Sequence, residues 1–394
     1  MHVQGFTAAA VAAGIRYTNR PDLGLIFSEV PAVAAGVLTT NRVKAAPVRL
    51  SRERLRTGRA QAILVNSGNA NACTGVPGME AARATSAMAA QALGIEEELV
   101  QLASTGVIGL PLPVDPFAQA MPELVGNLSA SKLDDVAQAM MTTDLVEKTA
   151  AQRIFINNTP VSLFGMAKGS GMIRPDMATM LCFVVTDAQI VFPVLDKLLR
   201  EAVDESFNAI TVDGDTSTND MVLVLANGMA NNAWIDEDNT EGVRIFGTAL
   251  REICQELALK IVADGEGATK LVRIEVTGAR TRAEAINAGQ TIANSALVKT
   301  AFFGEDANWG RIMAALGRSD CHFQEDRVNI AFDDVLLVEH GLCLGADAEA
   351  RATEVLKQKR FTVGIELHEG HAHAVVHTCD FSFDYVKINA NYRS

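Results

Sequence analysis

The chain has 394 residues, of which 48% are hydrophobic and only 5% are aromatic, so it is long enough for two or three domains with aliphatic cores. Its net charge of −13 argues against nucleic acid or an anionic membrane as a partner, because both would repel an acidic surface. Six scattered cysteines without a CxxC pair, the lack of a signal-peptide pattern and the lack of an apolar stretch of about 18 residues indicate a cytoplasmic protein with free thiols.

A loop rich in Asn, Ser and Gly follows the short apolar strand Ala62–Val65. This loop, Asn66–Asn71, leads to a helix predicted over Met79–Leu93. Polar groups before a helix N-terminus are typical of an anion-binding cradle. The spacing fits neither GxGxxG nor GxxxxGK[ST], so no nucleotide site is predicted at this loop. A tightly hydrogen-bonded turn is the equal alternative.

A second glycine-containing loop follows the predicted strand Val100–Ala103. It reads STGVIG over residues 104–109, and glycines let backbone N–H groups approach a ligand closely. The Thr105 hydroxyl and the Gly106 amide could form an oxyanion hole for acyl transfer. Glycine turns after strands are common, so this loop alone predicts no reaction.

The segment 168–188 reads KGSGMIRPDMATMLCFVVTDA and follows a hairpin predicted over Arg153–Phe164. Lys168 heads a small-residue loop, the Pro and Asp after Arg174 favour a turn, and an apolar strand follows. Thr179 therefore lies where a loop meets a buried strand. It is either the first residue of a core strand, where a β-branched residue fits well, or a nucleophile presented by a turn.

Two acidic loops come next. Residues 213–220 read DGDTSTND, which departs from the EF-hand calcium pattern at positions 6 and 12, so a turn and helix cap near the active site is favoured. The long helix predicted over Val243–Val262 ends before Glu266, which glycines flank on both sides. Glu266 is either a displayed carboxylate or part of an ordinary, exposed helix end.

The last third is predicted to contain two helices, Ala283–Phe302 and Asn308–Leu316, and then mainly strands. Residues 361–367 and 372–386 read as a hairpin around Glu369, and the terminal residues read as a strand. Alternation places His371, His373 and His377 on one face with no carboxylate at ligand spacing, so no metal is predicted.

Taken together, eight blocks in this chain resemble the ornithine acetyltransferase family, also called glutamate N-acetyltransferase (ArgJ), in the order of that family. The blocks are GMAKGSGMIRPDMATML, NSGNANACTG, STGVIG, MTTD, VDGDTSTND, DGEGATK, FFGEDANWGRI and DYVKINANYRS. They extend over almost the whole chain, so the resemblance does not depend on one short motif.

The resemblance implies an α/β (α+β) fold, a self-cleaving layered αββα-type sandwich of the DmpA/ArgJ kind with a smaller α+β C-terminal domain. It implies autoproteolysis between Ala178 and Thr179. The products would be an α chain of residues 1–178 and a β chain of residues 179–394. Within the β chain, 179–280 would complete the catalytic domain and 281–394 would form the smaller domain.

The implied reaction moves acetyl from N2-acetylornithine to glutamate in a ping-pong mechanism. Thr179 would be the nucleophile, because a free N-terminal Thr carries both a hydroxyl and an amine that can act as its base. Thr105 and Gly106 would hold the oxyanion. The implied substrate contacts, besides Thr179 itself, are Thr142, Lys168, Glu266, Asn389 and Ser394.

Several points stay open at this stage. No cofactor and no metal are expected, and the sequence does not decide whether acetyl-CoA is a second acetyl donor. The α and β chains are expected to stay associated, as (αβ)2 or a larger assembly. One alternative is an N-terminal-nucleophile aminopeptidase or amidohydrolase of the same fold. Another is a non-catalytic binding protein that would leave Thr179 uncleaved.

Overall fold

The computed structural model of the protein describes residues 1–174 and 180–391. The strands are β1 (Phe6–Val11), β2 (Leu23–Leu38), β3 (Arg59–Asn66), β4 (Val100–Ser104), β5 (Lys148–Ile156), β6 (Thr159–Lys168), β7 (Leu181–Thr186), β8 (Met221–Ala226), β9 (Leu271–Ala279), β10 (Asn329–Phe332), β11 (Val335–Glu339), β12 (Leu342–Cys343), β13 (Arg360–Glu366) and β14 (Ala372–Cys379). The helices are α1 (Ala46–Arg54), α2 (Gly75–Leu93), α3 (Asp115–Gly126), α4 (Leu133–Ala139), α5 (Phe192–Asp204), α6 (Thr240–Ala263), α7 (Arg282–Ala293), α8 (Ala296–Phe303), α9 (Trp309–Leu316), α10 (Ala346–Leu356) and α11 (Phe383–Ala390). Over these described ranges, no helix has the length and apolar character needed to cross a membrane.

The first compact unit comprises, of the described residues, 1–169, 180–208 and 215–261. Its sheet has the strand order β4-β3-β2-β8-β7-β6-β5, and β1 pairs with β2. The β3/β4 and β7/β8 pairs are parallel, whereas the other pairs are antiparallel. Strands β7 and β8 are buried at every position, which explains their continuous apolar sequences. α6 packs against β6 at Gly165, where a Cβ would lie 2.6 Å from Ile253.

One row of paired residues crosses four strands of this sheet. Leu38 of β2 pairs with Met221 of β8, Met221 pairs with Leu181 of β7, and Leu181 pairs with Lys168 of β6. Lys168 is therefore the last residue of a buried strand, and the prediction that it belongs to the loop was wrong. The antiparallel ladder with β7 extends the strand to this point.

The second unit comprises, of the described residues, 170–174, 209–214 and 262–391. Its sheet has the order β12-β11-β10-β13-β9-β14, and its apolar core includes Val276, Ile292 and Phe302. This unit begins before residue 281, the predicted start of the smaller domain, because β9 lies inside its sheet. The predicted hairpin of 361–367 with 372–386 was wrong, since β13 pairs in parallel with β9 and β14 pairs with its other edge.

Helix positions in the second unit also differ from those predicted. The single helix predicted over Ala283–Phe302 is two, α7 and α8, because the chain leaves the helical conformation at Asn294 and Ser295. The predicted terminal strand is the helix α11, whose N-terminus is capped by Ser382. Helices pack on a mixed sheet in each unit, and the α+β class is confirmed.

Candidate active site

Lys168 brings together two of the hydroxyl residues selected from the sequence. Its side chain is only 5% exposed, and its Nζ donates to Thr105 Oγ1 at 3.2 Å and to Thr142 Oγ1 at 2.9 Å. These residues come from the end of β6, the loop after β4 and the segment after α4. Three separate blocks thus meet at one buried ammonium group, which is a suitable partner for an anion.

Asp144, the last residue of the MTTD block, anchors this arrangement. Its Oδ1 accepts a hydrogen bond from Lys148 Nζ at 2.8 Å, and its Oδ2 lies 3.8 Å from Lys168 Nζ. It also accepts the backbone N–H groups of Thr142 at 3.0 Å and Gly169 at 2.7 Å. Burial acts to raise the pKa of Asp144, but Lys168 and Lys148 outweigh burial and hold that pKa well below its usual range.

The Thr105–Gly106 turn is packed against the Asn66–Asn71 loop. Gly106 has φ of 132°, a conformation that favours glycine. A Cβ on Gly106 would lie 2.2 Å from the backbone carbon of Gly68 and 2.5 Å from the nitrogen of Asn69. Only glycine fits here. The close contact with the backbone of Gly68 and Asn69 therefore fixes the position of the Gly106 amide.

The asparagines of the Asn66–Asn71 loop are satisfied within the protein. Asn66 Nδ2 donates to the Asn69 carbonyl at 2.9 Å, and its Oδ1 accepts from Ser104 Oγ at 2.6 Å. Asn69 Oδ1 accepts the Asn71 N–H at 2.8 Å. The loop is therefore the hydrogen-bonded turn of the two alternatives, and it supports the Thr105–Gly106 turn rather than presenting a separate anion cradle.

Asp220, the residue before β8, places a second buried carboxyl group beside the start of β7. Asp220 is 1% exposed, and its Oδ1 accepts the backbone N–H of Met180 at 3.0 Å. Burial raises the pKa of Asp220 well above its usual range, and the Met180 hydrogen bond and the Lys168 charge offset only part of that effect. The sequence predicts only that Asp220 lies in a turn, because nothing in the pattern indicates its burial.

In the second unit, Glu266 and Asn389 contact each other. Asn389 Nδ2 donates to Glu266 Oε2 at 2.8 Å. Glu266 is 6% exposed, and its backbone N–H donates to the Ser170 carbonyl at 2.9 Å. A Cβ on Gly171 would lie 2.4 Å from the Glu266 carboxylate. Glu266 is thus a positioned, buried carboxylate and not an exposed helix end.

The remaining predicted residues lie outside the described part of the chain, namely Ala178, Thr179 and Ser394. Thr105, Gly106, Thr142 and Lys168 belong to the first unit, whereas Glu266 and Asn389 belong to the second. Across residues 1–174 and 180–391, no group of three or more His, Cys, Asp and Glu side chains has the geometry of a metal site.

Comparison with known proteins gives a consistent family. A sequence model of the ArgJ family matches residues 7–394. The arginine biosynthesis bifunctional protein ArgJ of Desulfotalea psychrophila is 56% identical over 394 residues, covering 100% of both chains. The protein of the same name from Geobacter sulfurreducens is 52% identical over 394 residues, again covering 100% of both chains.

A solved structure agrees with the sequence comparisons. The crystal structure of the arginine biosynthesis bifunctional protein ArgJ from Bacillus halodurans matches with a TM-score of 0.51 and 43% identity, covering 53% of this chain and 98% of that chain. Both the match over residues 7–394 and the relatives at more than half identity agree with the eight blocks. The chain belongs to the ArgJ family and is an acyltransferase of arginine biosynthesis.

Proposed function

We propose that the protein transfers acetyl from N2-acetylornithine to glutamate through an acetyl ester on Thr179. The Thr179 hydroxyl attacks the acetyl carbonyl, and its proton passes by way of the Thr179 α-amine to the departing nitrogen of ornithine. The α-amine of glutamate then attacks the ester and leaves as N-acetylglutamate, and the Thr179 oxygen regains its proton. An N-terminal Thr suits both steps, since nucleophile and base belong to one residue.

The same Thr179 hydroxyl would first cut the chain. It attacks the carbonyl carbon of Ala178, so the acyl group moves from nitrogen to oxygen and the amine of Thr179 is released. Water then hydrolyses the ester and leaves Ala178 with a free carboxylate. Before this cut the nitrogen is an amide and cannot act as a base, so cleavage would switch on acetyl transfer.

The observation that carries this proposal is the contact of Lys168 with both Thr105 and Thr142. The Thr105 hydroxyl and the Gly106 amide are the proposed donors to the tetrahedral oxyanion, and such donors act where charge develops in the transition state. Lys168 and Thr142 would bind the substrate α-carboxylate. The Asp144 carboxylate supports this role, because it lies 3.8 Å from the Lys168 ammonium and helps to hold it in place.

Glu266 and Asn389 are the proposed contacts for the ornithine ammonium groups. A buried carboxylate that already accepts from Asn389 still has lone pairs for a cationic ligand. Ser394 is proposed as a further neutral contact from the resemblance alone. Neutral amide and hydroxyl partners would let one pocket accept ornithine and then glutamate.

The length of the matched Bacillus chain also supports self-cleavage. That chain is covered to 98%, yet it covers only 53% of this chain. Residues 179–394, the proposed β chain, make up a little over half of the sequence. A relative that had cut itself at the equivalent position would yield a separate chain of about this length.

Denaturing electrophoresis tests the cleavage step. Two fragments of about 19 and 23 kDa are expected from the 42.0 kDa chain, and Thr179→Ala should give one intact chain. Persistent cleavage of that variant would contradict the nucleophile assignment. A wild-type protein that remains one 42.0 kDa band would favour a non-catalytic binding protein.

Initial rates test the transfer step. With acetylornithine and glutamate varied together, double-reciprocal plots should be parallel, as expected for a covalent acetyl intermediate. Brief incubation with acetylornithine alone should add one acetyl group to the β chain, seen by mass spectrometry. Release of acetate faster than formation of N-acetylglutamate would instead favour the hydrolase alternative.

A further inference from the structure

The segment between β1 and β2, residues 12–22, is a loop of fixed shape that the mechanism proposed above does not use. We call it the β1–β2 loop. Asp22 at its end is 0% exposed, and its carboxylate accepts four backbone N–H groups of the loop, those of Ala13 at 2.7 Å, Ile15 at 2.8 Å, Arg16 at 3.2 Å and Tyr17 at 3.3 Å. A carboxylate that accepts several N–H groups fixes the backbone that donates them. The loop is therefore held in place without help from a ligand.

One part of the β1–β2 loop packs against the turn that supports the proposed oxyanion hole. A Cβ on Gly68 would lie 2.5 Å from Arg16 Cβ and 3.3 Å from the ring of Tyr17, so the loop leaves no room for a side chain at this glycine. The backbone of Gly68 is also what fixes the position of Gly106. Arg16 and Tyr17 therefore share a packing partner with the proposed oxyanion donors.

Another part of the loop reaches the residue before Thr142. Arg20, which is half-buried, donates from Nη2 to the Met141 carbonyl at 2.9 Å, and Met141 directly precedes Thr142 in the chain. The guanidinium group lies over the ring of Tyr17, with its Cζ 3.8 Å from the ring centroid. An aromatic ring beneath a guanidinium group orients it and leaves its edge for hydrogen bonds. Arg20 is thus a positioned cation beside a proposed substrate contact.

Most of the hydrogen-bonding capacity of Arg20 is left for a ligand. A guanidinium group has five N–H donors in a planar fork, and the Met141 carbonyl takes one of them. Among residues 1–174 and 180–391, no carboxylate forms an ion pair with Arg20. Lys148, by contrast, is paired with Asp144 at 2.8 Å. The described part of the chain therefore leaves the charge of Arg20 unbalanced, and an anion would balance it.

Arg20 and Lys168 are separated by a distance that suits a dicarboxylic amino acid. Lys168 Nζ donates to Thr142 Oγ1 at 2.9 Å, and Arg20 Nη2 donates to the Met141 carbonyl at 2.9 Å. The bonds from that carbonyl oxygen to Thr142 Oγ1 span at most about 5 Å, so the two cationic nitrogens lie within about 11 Å of each other. A glutamate that accepts a hydrogen bond at each carboxylate spans about 10 Å between its two donors.

The two proposed substrates differ in the charge of their side chains. Both carry an α-carboxylate, but ornithine ends in an ammonium group and glutamate ends in a second carboxylate. Glu266, proposed for the ammonium groups, would repel that carboxylate, and the neutral amide of Asn389 favours neither charge. After ornithine leaves, glutamate must react in preference to the ornithine just released. A cation placed for the side-chain carboxylate would give that preference.

We infer that Arg20 binds the side-chain carboxylate of glutamate in the second half-reaction, while Lys168 and Thr142 bind its α-carboxylate. This inference rests on the proposed function and names the acceptor subsite of that function. Tyr17 orients the guanidinium group of Arg20, which takes no part in making or breaking a bond. Two fixed carboxylates restrict the orientation of the attacking α-amine, and the pair of cations selects a dicarboxylic acceptor over a neutral or cationic one.

Steady-state kinetics test the assignment through the split between the two substrates. In a ping-pong mechanism, kcat/KM for each substrate reports its own half-reaction. Arg20→Gln should lower kcat/KM for glutamate at least tenfold more than it lowers kcat/KM for acetylornithine. Arg318→Gln is the matched control, because Arg318 also donates to a backbone carbonyl, that of Thr291 at 3.2 Å, and this variant should behave like the wild type. Equal falls for the two substrates, or no fall for either, would overturn the inference.

The choice of acceptor gives a second readout. Glutamine has the shape of glutamate, with a neutral amide in place of the side-chain carboxylate. Arg20→Gln should reduce the preference for glutamate over glutamine at least tenfold, and Arg20→Lys should reduce it less, since lysine keeps the charge without the fork. If Arg20→Gln folds poorly, as judged by circular dichroism, Arg20→Lys replaces it in both experiments, with the smaller fall expected. An unchanged preference in the folded variant would overturn the inference.

The outcomes separate Arg20 from its neighbour and from the proposed function. Arg16 is exposed on the same loop. If Arg16→Gln lowers the preference for glutamate and Arg20→Gln does not, the assignment to Arg20 is overturned. A wild type that transfers no acetyl from acetylornithine fails the proposed function. Calorimetric titration with glutamate still tests the subsite in that case: the wild type should bind glutamate at least tenfold more tightly than Arg20→Gln, and equal binding would overturn the subsite.

Discussion

The Asp220 carboxyl accepts the backbone N–H of Met180 at 3.0 Å. Met180 directly follows Thr179, so this hydrogen bond fixes a buried carboxyl group within one residue of the proposed nucleophile. The nearby Thr39 hydroxyl donates instead to the Ser217 carbonyl at 2.7 Å. Within the described residues, Asp220 Oδ2 has no hydrogen-bond partner. Burial raises the pKa of Asp220 and so favours the protonated carboxyl, the form that a general acid needs.

Asp220→Asn should therefore slow self-cleavage. The amide oxygen can still accept from Met180, but the side chain no longer supplies an acidic proton for the departing Thr179 nitrogen. Loss of a general acid typically slows a reaction by about 10²–10⁴-fold. The measurement is the fraction of intact chain against time after synthesis, followed by denaturing electrophoresis.

The control for this experiment is Asp238→Asn, which changes an exposed carboxylate of the segment before α6 and should cleave like the wild type. The pH profile of cleavage gives a second readout. Wild-type cleavage should slow as the pH rises through the raised pKa of Asp220, and the residual cleavage of Asp220→Asn should lack that step. Equal cleavage rates for the two proteins would exclude Asp220 as the proton donor.

Gly106→Ala should destabilise the first unit severely and abolish transfer. The new Cβ would lie 2.2 Å from the backbone of Gly68, and backbone cannot move aside as a flexible side chain can. We expect a loss of more than about 4 kcal/mol in the free energy of unfolding, measured with urea. Gly109→Ala is the matched control: its φ is 87°, but nothing lies within 4 Å of a Cβ there, so about 1–2 kcal/mol of backbone strain is expected.

Local sequence predicted several elements because their causes are local. The β5–β6 hairpin is confirmed, and Asn157 and Asn158 adopt the positive φ values that its turn requires. Family blocks also selected Thr105, Thr142 and Lys168, which the fold brings into contact although they are separated by up to 63 residues. The family blocks, found in their usual order along the chain, identified these three residues. Hydrophobic periodicity alone would not have selected them.

What the sequence could not predict depends on distant partners. β13 and β14 read as a hairpin, yet β9, far earlier in the chain, separates them. Asp144 was not among the residues selected from the sequence, because its importance comes from Lys148, Lys168 and the Gly169 amide. A charge is recognisable as buried and paired only when the tertiary structure places its partners.

Asp144→Asn should be strongly destabilising. It would leave Lys148, which is 0% exposed, as a buried ammonium without its carboxylate, and breaking such a pair costs about 3–5 kcal/mol. Urea unfolding measures this loss. Glu256→Gln is the matched control, because its 2.7 Å pair with Lys260 is exposed and should contribute less than about 1 kcal/mol. If Asp144→Asn lowers the free energy of unfolding no more than Glu256→Gln does, the Asp144–Lys148 ion pair is not stabilising in the way we predict.

His377 should make the stability of the second unit sensitive to mild acid. Burial, helped by the Arg273 charge, lowers the pKa of His377 from 6.5 to about 4. A histidine whose folded pKa is depressed stays neutral in the folded state while the unfolded chain takes up a proton. Its contribution to stability is therefore complete above pH 6.5 and is lost as the pH falls towards 4.

The test compares wild type, His377→Gln and the control His373→Gln, an exposed residue of the same strand. Urea unfolding, followed by the fluorescence of Trp309 in the second unit with Trp234 replaced by Phe, is measured between pH 4 and pH 8. Relative to His377→Gln, wild type should lose up to about 1.4 kcal/mol per pH unit below pH 6.5, and His373→Gln should follow wild type. A difference between wild type and His377→Gln that stays constant over this range would mean that His377 does not titrate differently on unfolding.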